Sequence, residues 1–444
     1  MSILSVGQGM RFSTIASAVA ASHDGDTVQV QAGTYLNDFA TVNTRITIQG
    51  VGGMAHLVAT GSPPDGKAIL TTNADITLDH LELSGAAVPD GNGAGIRYQA
   101  GNLTLTNSYV HDNQDGILGG GAAGTVTIRN SEFAHNGAGD GSTHNIYVGD
   151  VASLTIDGSY IHDAVVGHEV KSRAESTTIT NSRIQDGPTG TASYSIDAPN
   201  GGNVVIQGNV IQQGPASQNP AIIAFGEEGG VHAGSSLTVT GNMILNDLQS
   251  PSVAAVWNAA AAPLSVTGNS TYGLSAGQVI RGAATAPGNT VLTSEPALNT
   301  SAPWSAAPAS SAPAPDTPAS TPVASTPITA TTLALHLSED AYQGDAQFIV
   351  SVDGKVTRGA QAVTALHGLG KTQDFTVNGA FAAGTHDLAV SFVNDAWGGT
   401  ADTDRNLYID SVDQNGTQLA NSTGALFWNG TLHVPFMVSA SNPA

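Results

Sequence analysis

The chain has 444 residues, enough for two domains, and only 11% of them are charged. Its 13 Lys plus Arg stand against 35 Asp plus Glu, a formal net charge of −22 that excludes nucleic-acid binding through counterion release, so no nucleic-acid partner is expected. The lack of Cys excludes disulfides, thiolate catalysis and Cys-type zinc sites, and no apolar run reaches the ~18 residues of a membrane span.

With so few charges, the surface must be built from Ser, Thr, Asn, Gln and Gly, which suits stacked β-structure better than helices. Phe12–Ala20 reads as a short amphipathic helix. Asp24-Gly25-Asp26 then turns the chain into a strand at Thr27–Val30, followed by Gly33-Thr34-Tyr35. From Ile76 onward one eight-residue pattern recurs, at Ile76–Leu83, Leu103–Val110, Val126–Phe133, Leu154–Ile161, Thr177–Ile184, Val204–Ile211, Leu237–Ile244 and Leu264–Thr271. The starts are 27, 23, 28, 23, 27, 33 and 27 residues apart. Alternation marks half-buried strands, and the central Asn, Asp, His or Gly marks a turn. One such repeat cannot bury its own apolar face, whereas stacked coils can. The pattern therefore predicts an all-β fold: a right-handed parallel β-helix over 1–295.

Two N-terminal strings carry a family likeness. F-S-T-I-x-x-A-V-x-A, followed by G-D-T-V-x-V-x-x-G-T-Y, resembles the entry to pectate-lyase-like β-helices, where the helix caps the open end of the coil. The resemblance spans roughly residues 8–295. It implies the fold and not the reaction, because that fold carries lyases, hydrolases, epimerases and phage tailspikes.

Coil register places the chemistry. Taking Ile96, Ile117, Ile146, Val170, Ile196 and Ile223 as inward positions brings Arg97, Leu118, Tyr147, Lys171, Asp197 and Ala224 into one outward column, ~4.8 Å apart from coil to coil. Gly95, Gly116, Asn145, Glu169, Ser195 and Ile222 read as a second outward position, so that Glu169 and Arg173 flank Lys171. His144, His168 and Tyr194 share a further column. A uronate lyase needs a cation for the carboxylate, a base for the C5 proton and an acid for the leaving oxygen. Arg173 fits the first role. Lys171, its pKa lowered by its cationic neighbour, or His144 or His168 fits the second, and Tyr147 the third. Asp197 would position Lys171 or bind a metal. A glycoside hydrolase using Glu169 and Asp197, a C5-epimerase, and a non-catalytic glycan adhesin are the alternatives. The strings G-H-E-V-K-S-R-A and S-Y-S-I-D-x-P-N-G-G resemble segments of bacterial β-helix proteins, and the Asp triad of the pectate-lyase calcium site has no counterpart here.

Residues 296–327 are rich in Ser, Ala, Pro and Thr and predict a disordered linker. Alternating strands resume at Thr332–Leu337, Ala346–Val352, Gln373–Val377, His386–Val393 and Asn406–Val412, a β-sandwich over 328–444. It holds two acidic, Gly-containing loops, 338–348 and 394–408, whose clustered oxygens suit Ca²⁺. The strings D-A-Y-Q-G-D-A-Q-F and N-D-A-W-G-G-x-x-x-T-D-R-N-L-Y-I-D resemble the family 60 carbohydrate-binding modules and, more distantly, family 36. That resemblance implies binding of xylan-like β-glycans through a Ca²⁺ that ligates sugar hydroxyls. It implies Asp395 and Asp404, with Asp402 beside them, as ligands of that ion. Trp397 and Tyr342 would lie by the sugar, and Asp340 and Asp345 at a second, structural Ca²⁺. The start of the chain lacks a basic segment followed by an apolar one. A secreted polysaccharide-degrading protein is expected all the same, its export signal removed or replaced by another route. Its partner is expected to be a xylan-like or uronate-containing plant or bacterial glycan.

Overall fold

The computed structural model describes residues 2–121, 123–248, 250–282, 286–304, 328–352, 355–382, 384–398, 400, 403–419, 422–427 and 430–438. Its contacts divide the chain into two units, Met1–Ala314 and Pro315–Ala444. The turn at Asp353-Gly354, Asp402 and most of the expected linker, 305–327, lie outside the described residues.

The first unit is a right-handed parallel β-solenoid over residues 3–291. Each recurrent eight-residue pattern is not one strand but two, bent at its centre. In the second repeat, Leu103–Thr106 and Tyr109–His111 are separated by Asn107, whose φ of 47° is left-handed. Asn, Asp and Gly tolerate that conformation best, which is why they recur there. The next residue turns inward. Leu81 N donates to Ser108 Oγ, Ser108 N to Ser131 Oγ, Ser131 N to Ser159 Oγ, Ser159 N to Ser182 Oγ, and Ser182 N to Asn209 Oδ1. Asn242, Asn269 and Asn289 continue the ladder. These side chains satisfy backbone groups that the corner leaves unpaired, so the small polar residues of the repeat are structural.

The remaining strands form a nine-stranded parallel sheet from Ala40–Val42 to Ala254–Asn258. Its register pairs Ile96 with Ile117, Ile117 with Ile146, Ile146 with Val170, Val170 with Ile196 and Ile196 with Ile223, as the alternation predicts. All six are buried in one continuous core. Cutting any of the five isoleucines to Ala would cost about 2–5 kcal/mol. The expected helix forms at Ile15–Ala20, capped by Thr14, and buries Ile15, Ala18 and Val19 in that core. Asp38 fixes its start by accepting from the amides of Ile15 and Ala16.

One expected column is corrected. Asn145 and Glu169 do not face outward; both are fully buried and bonded to one another. Asn145 and Glu169 precede their strands, which begin at Ile146 and Val170, and alternation does not reach back past the corner. The side chain there turns into the interior. Asn113, Asn136, Asn145 and Glu169 form a second buried ladder, Asn136 Nδ2 donating to Asn145 Oδ1 and Asn145 Nδ2 to Glu169 Oε2.

The second unit packs two antiparallel sheets around Leu333, Leu335, Leu337, Phe348, Val350, Val377, Val390, Phe392, Leu407, Ile409 and Phe436. Asn415-Gly416, with φ of 50° and 81°, makes the expected tight hairpin between Asp404–Gln414 and Thr417–Gln418. Two long strands escaped the sequence reading, Lys355–Ala362 and Gly430–Val438, as did the short ones Ala396–Trp397, Thr417–Gln418 and Gly424–Leu426.

Candidate functional site

On the nine-stranded sheet, Tyr147, Lys171, Asp197 and Ala224 occupy one outward row, each paired with the next. The strands Ile146–Val148, Val170–Ser172 and Ile196–Ala198 thus hold these side chains about one coil apart. Lys171 Nζ lies 3.1 Å from Asp197 Oδ2 and 2.7 Å from Glu228 Oε1. Arg173 Nη2 pairs with the other oxygen of Glu228, Arg173 Nε donates to Tyr147 Oη at 3.0 Å, and Nη1 donates to Asn200 Oδ1. His232 Nε2 sits 3.0 Å from the Arg173 carbonyl.

Glu227, Glu228 and His232 were not anticipated. They lie on the segment between the strands Ala221–Phe225 and Ser236–Thr240. The signal was present: this repeat spacing is 33 residues where the others are 23 to 28, so the extra residues had to leave the coil as a loop.

The electrostatics of the cluster close on themselves. Burial works to lower the Lys171 pKa, but Asp197 and Glu228 raise it by more, so Lys171 is firmly cationic. The expected lowering by Arg173 does not occur, because both carboxylates lie nearer. Burial, and then the hydrogen bond with Glu227, push Asp197 up to about 8, so Asp197 keeps its proton at neutral pH. Asp197, Glu227 and Glu228 bring carboxylate oxygens within 4.8 Å of one another. One proton and one ammonium neutralise much of that charge.

His144 and His168 stack at 4.7 Å. Burial, and then Lys171, lower His144 to about 3; burial, then His144 and Lys171, lower His168 to about 2. Both rings are therefore neutral. His144 Nδ1 accepts from the amide of His168, and His168 Nδ1 from the amide of Tyr194. That assigns the ring proton of each to Nε2, and the Nε2 of His168 stands 3.3 Å from Asp197 Oδ2. The two rings orient the cluster; neither has a lone pair free to act as base.

Glu169 lies apart. Its Oε1 accepts from the amide of Ala164 and its Oε2 from Asn145, and burial raises its pKa well above the usual carboxylate range. The pairing of Glu169 with Asp197 as hydrolytic carboxylates is thereby corrected. A cavity of about 550 Å³ lies elsewhere, at the N-terminal cap beside Gln31, Tyr35 and Asp38.

In the second unit, buried Arg405 ties the two acidic loops together. Its guanidinium donates to the carbonyls of Tyr342 and Gly344 in one loop and Asn394 in the other. This residue lies inside the quoted motif but was not singled out. The short strand Ala396–Trp397 pairs with Arg405 and Asp404, and Trp397 is 61% exposed beside the two acids. Burial, and then the Asp404 charge, raise the Asp395 pKa. Among the described residues, the buried Oδ1 of Asp404 has no hydrogen-bond partner. A pair of mutually repelling carboxylates with an orphaned oxygen fits a hard cation such as Ca²⁺. Asp340 and Asp345 are less alike. Asp340 accepts from Tyr408 at 2.6 Å and from Asn406 at 3.3 Å, whereas Asp345 is exposed. Buried Glu339, which accepts from the amide of Ala346, feels the charge of both.

Comparisons with known proteins follow this division. Residues 332–428 match the family described as a Ca-dependent, xylan-binding carbohydrate-binding module, and residues 120–291 match the right-handed β-helix region. No curated protein matches the chain. Among solved structures, a PL6 family alginate lyase is 16% identical, over 66% of this chain and 40% of its own, with a TM-score of 0.33. The chain thus spans less than half of that lyase. Dettilon tailspike protein is 10% identical over 90% of this chain and 77% of its own (TM-score 0.31). Tailspike protein 2 from an Escherichia coli O157:H7 bacteriophage is 11% identical over 96% and 71% (TM-score 0.36).

Proposed function

We propose that this chain, a β-helix protein with a C-terminal module of the calcium-dependent xylan-binding family, is an extracellular enzyme that cleaves a uronate-containing polysaccharide by β-elimination. The observation that carries the reading is Glu228. Its carboxylate is gripped at once by Lys171 and Arg173, yet its side chain is 43% exposed. A uronate carboxylate has the same charge and the same pair of oxygens, and it would take the Arg173 end of that grip once Glu228 swings aside, leaving Lys171 free of it.

The steps follow from these residues. Arg173, steadied by Asn200, holds the substrate carboxylate and stabilises the charge that develops as the C5 proton leaves. Lys171, released from Glu228, loses one of the two carboxylates that keep it cationic, and Arg173 remains beside it. Its pKa falls towards the range of a base. Asp197, set by His168, keeps the Lys171 amine in place. Tyr147, tied to Arg173, passes a proton to the leaving glycosidic oxygen. A hydrolase is less well served. Glu169, the carboxylate it would need beside Asp197, is buried and bonded to Ala164 and Asn145.

In the C-terminal module, Asp395 and Asp404 would hold the Ca²⁺, whose charge ligates sugar hydroxyls, with Trp397 flat against the ring and Tyr342 at its edge. The module keeps the enzyme on xylan-like glycan while the β-helix acts. The test is a panel of uronate-bearing and neutral glycans, incubated in calcium and read for ultraviolet absorbance of an unsaturated product and for reducing ends. Both signals together are expected. Reducing ends alone would replace the lyase by a hydrolase. Silence on both, with xylan still bound, would leave an adhesin.

A further inference from the structure

A second cluster lies on a different outer face, where His56 is paired with Glu82 one coil on. We propose that His56, Glu82 and His111 form a binding site for a divalent transition metal of the zinc class, separate from the calcium module. Two imidazoles and one carboxylate are a usual zinc donor set with one position left open.

The geometry is that of ligands already turned toward an ion. His111 Nε2 lies 3.1 Å from Glu82 Oε1, and His56 Nδ1 lies 3.5 Å from the same oxygen. A tetrahedral ion with bonds of ~2.0–2.2 Å holds its ligand atoms ~3.3–3.6 Å apart. All three donor atoms fall within 4.8 Å of one another. The outer nitrogens are also engaged. His111 Nδ1 is 2.6 Å from Asp112 Oδ2, and His56 Nε2 is 2.7 Å from Ser84 Oγ. Asp112 behind His111 and Ser84 behind His56 hold the two rings against Glu82, as partners behind metal-bound histidines do, and an ion would take the place of the hydrogen bond that now joins His111 to Glu82. The side chains of His56, Glu82 and His111 remain 24%, 20% and 14% exposed, enough for an ion to enter.

The same face supplies its own control. Two coils further on, His162 stands 3.1 Å from Glu132 and 2.6 Å from Asp163, repeating the distances of His111, Glu82 and Asp112. There the residue paired with Glu132 in the preceding coil is Tyr109 rather than a histidine. The second unit also has a further imidazole, His135, 5.8 Å ring to ring from His162, but among the described residues only His56, Glu82 and His111 on this face bring three donor atoms within 4.8 Å of one another.

The experiment is calorimetric titration of Zn²⁺ into the full chain with excess Ca²⁺ present, so that the acidic loops of the module are already filled. One zinc per chain is expected at the β-helix. His56→Asn and His111→Asn should each weaken binding by more than ~100-fold. Asp112→Asn should weaken it by roughly 10–100-fold, and His162→Asn should leave it unchanged. Circular dichroism checks that each variant keeps its fold. Co²⁺ gives a second readout: the visible bands of a four-coordinate site should appear in the unaltered protein and vanish in His56→Asn. A chain that takes up no zinc, a His56→Asn variant that binds it equally well, or a His162→Asn variant that loses it would overturn the proposal.

Discussion

The β-helix cluster and the acidic loops of the C-terminal module both gather carboxylates, but they deal with the charge in opposite ways. Around Asp197, Glu227 and Glu228 the chain supplies its own countercharges: the ammonium of Lys171, the guanidinium of Arg173 and the proton that Asp197 keeps. Around Asp395 and Asp404 the nearest cation, Arg405, is spent on three backbone carbonyls and holds the loops rather than the acids. One site is balanced from within and can offer its cations to an anionic substrate. The other is left short of positive charge and calls for an ion from solution.

The largest expected effect breaks that comparison on the first side. Lys171→Ala should lower turnover of a uronate glycan by ~10²–10⁴-fold, the usual worth of a positioned acid–base group, while retention on xylan is untouched. Activity surviving in this variant would remove Lys171 from the mechanism. Next comes the second side. Asp404→Asn, or removal of calcium by a chelator, should weaken retention on xylan at least ~10-fold in affinity electrophoresis. The Asp404→Asn variant should still turn over short soluble oligosaccharides at the normal rate, since nothing in the first cluster depends on the module. Equal retention with and without calcium would dissolve the contrast.

A third, smaller effect concerns pH. Burial lifts Asp115 to about 8, and burial with Glu227 does the same for Asp197. His111 and His162 reach about 9, because the hydrogen bonds they donate to their carboxylate partners outweigh burial. All four are raised above their unfolded values of ~3.9 and ~6.5. Their contribution to stability is whole below those values and is lost as pH rises through 8 to 9. His144 and His168, lowered to about 3 and about 2, act in the opposite sense and cost stability as pH drops below ~6.5. Thermal unfolding followed between pH 4 and 10 should therefore show a maximum on the mildly acid side and a fall of Tm above pH 7. A Tm that climbs to pH 9 would contradict the protonated carboxyls.

Much of this was legible in the sequence, and the failures share a cause. Period-two alternation fixed the inward row from Ile96 to Ile223, and with it the outward row of Tyr147, Lys171 and Asp197. Alternation holds only inside a strand. Glu169 stands one residue before one, at a corner, and the rule sent its side chain to the wrong side. Glu227 and Glu228 were lost differently: a loop has no period, so its length announced it and its path over Lys171 could not be read. In the module, the motif located the acidic loops and the exposed Trp397. It did not reveal that Arg405 is the pin between them, because a buried cation bound only to carbonyls leaves no pattern in sequence.

Glu169 supplies the smallest effect and the cleanest check on that lesson. If it were a working carboxylate beside Asp197, Glu169→Gln would abolish turnover. In its observed place burial disfavours its charge, and it is walled in as the last rung of an amide ladder, so an amide of the same shape is a close substitute. Turnover should stay unchanged. The cost should be confined to stability, about 1 kcal/mol or somewhat more, because glutamine offers one acceptor oxygen where Ala164 and Asn145 now use two. Denaturant unfolding and a turnover assay on the same preparation separate the two cases. Lost activity with intact stability would return Glu169 to the active face and reopen hydrolysis; lost stability with intact activity keeps it in the wall.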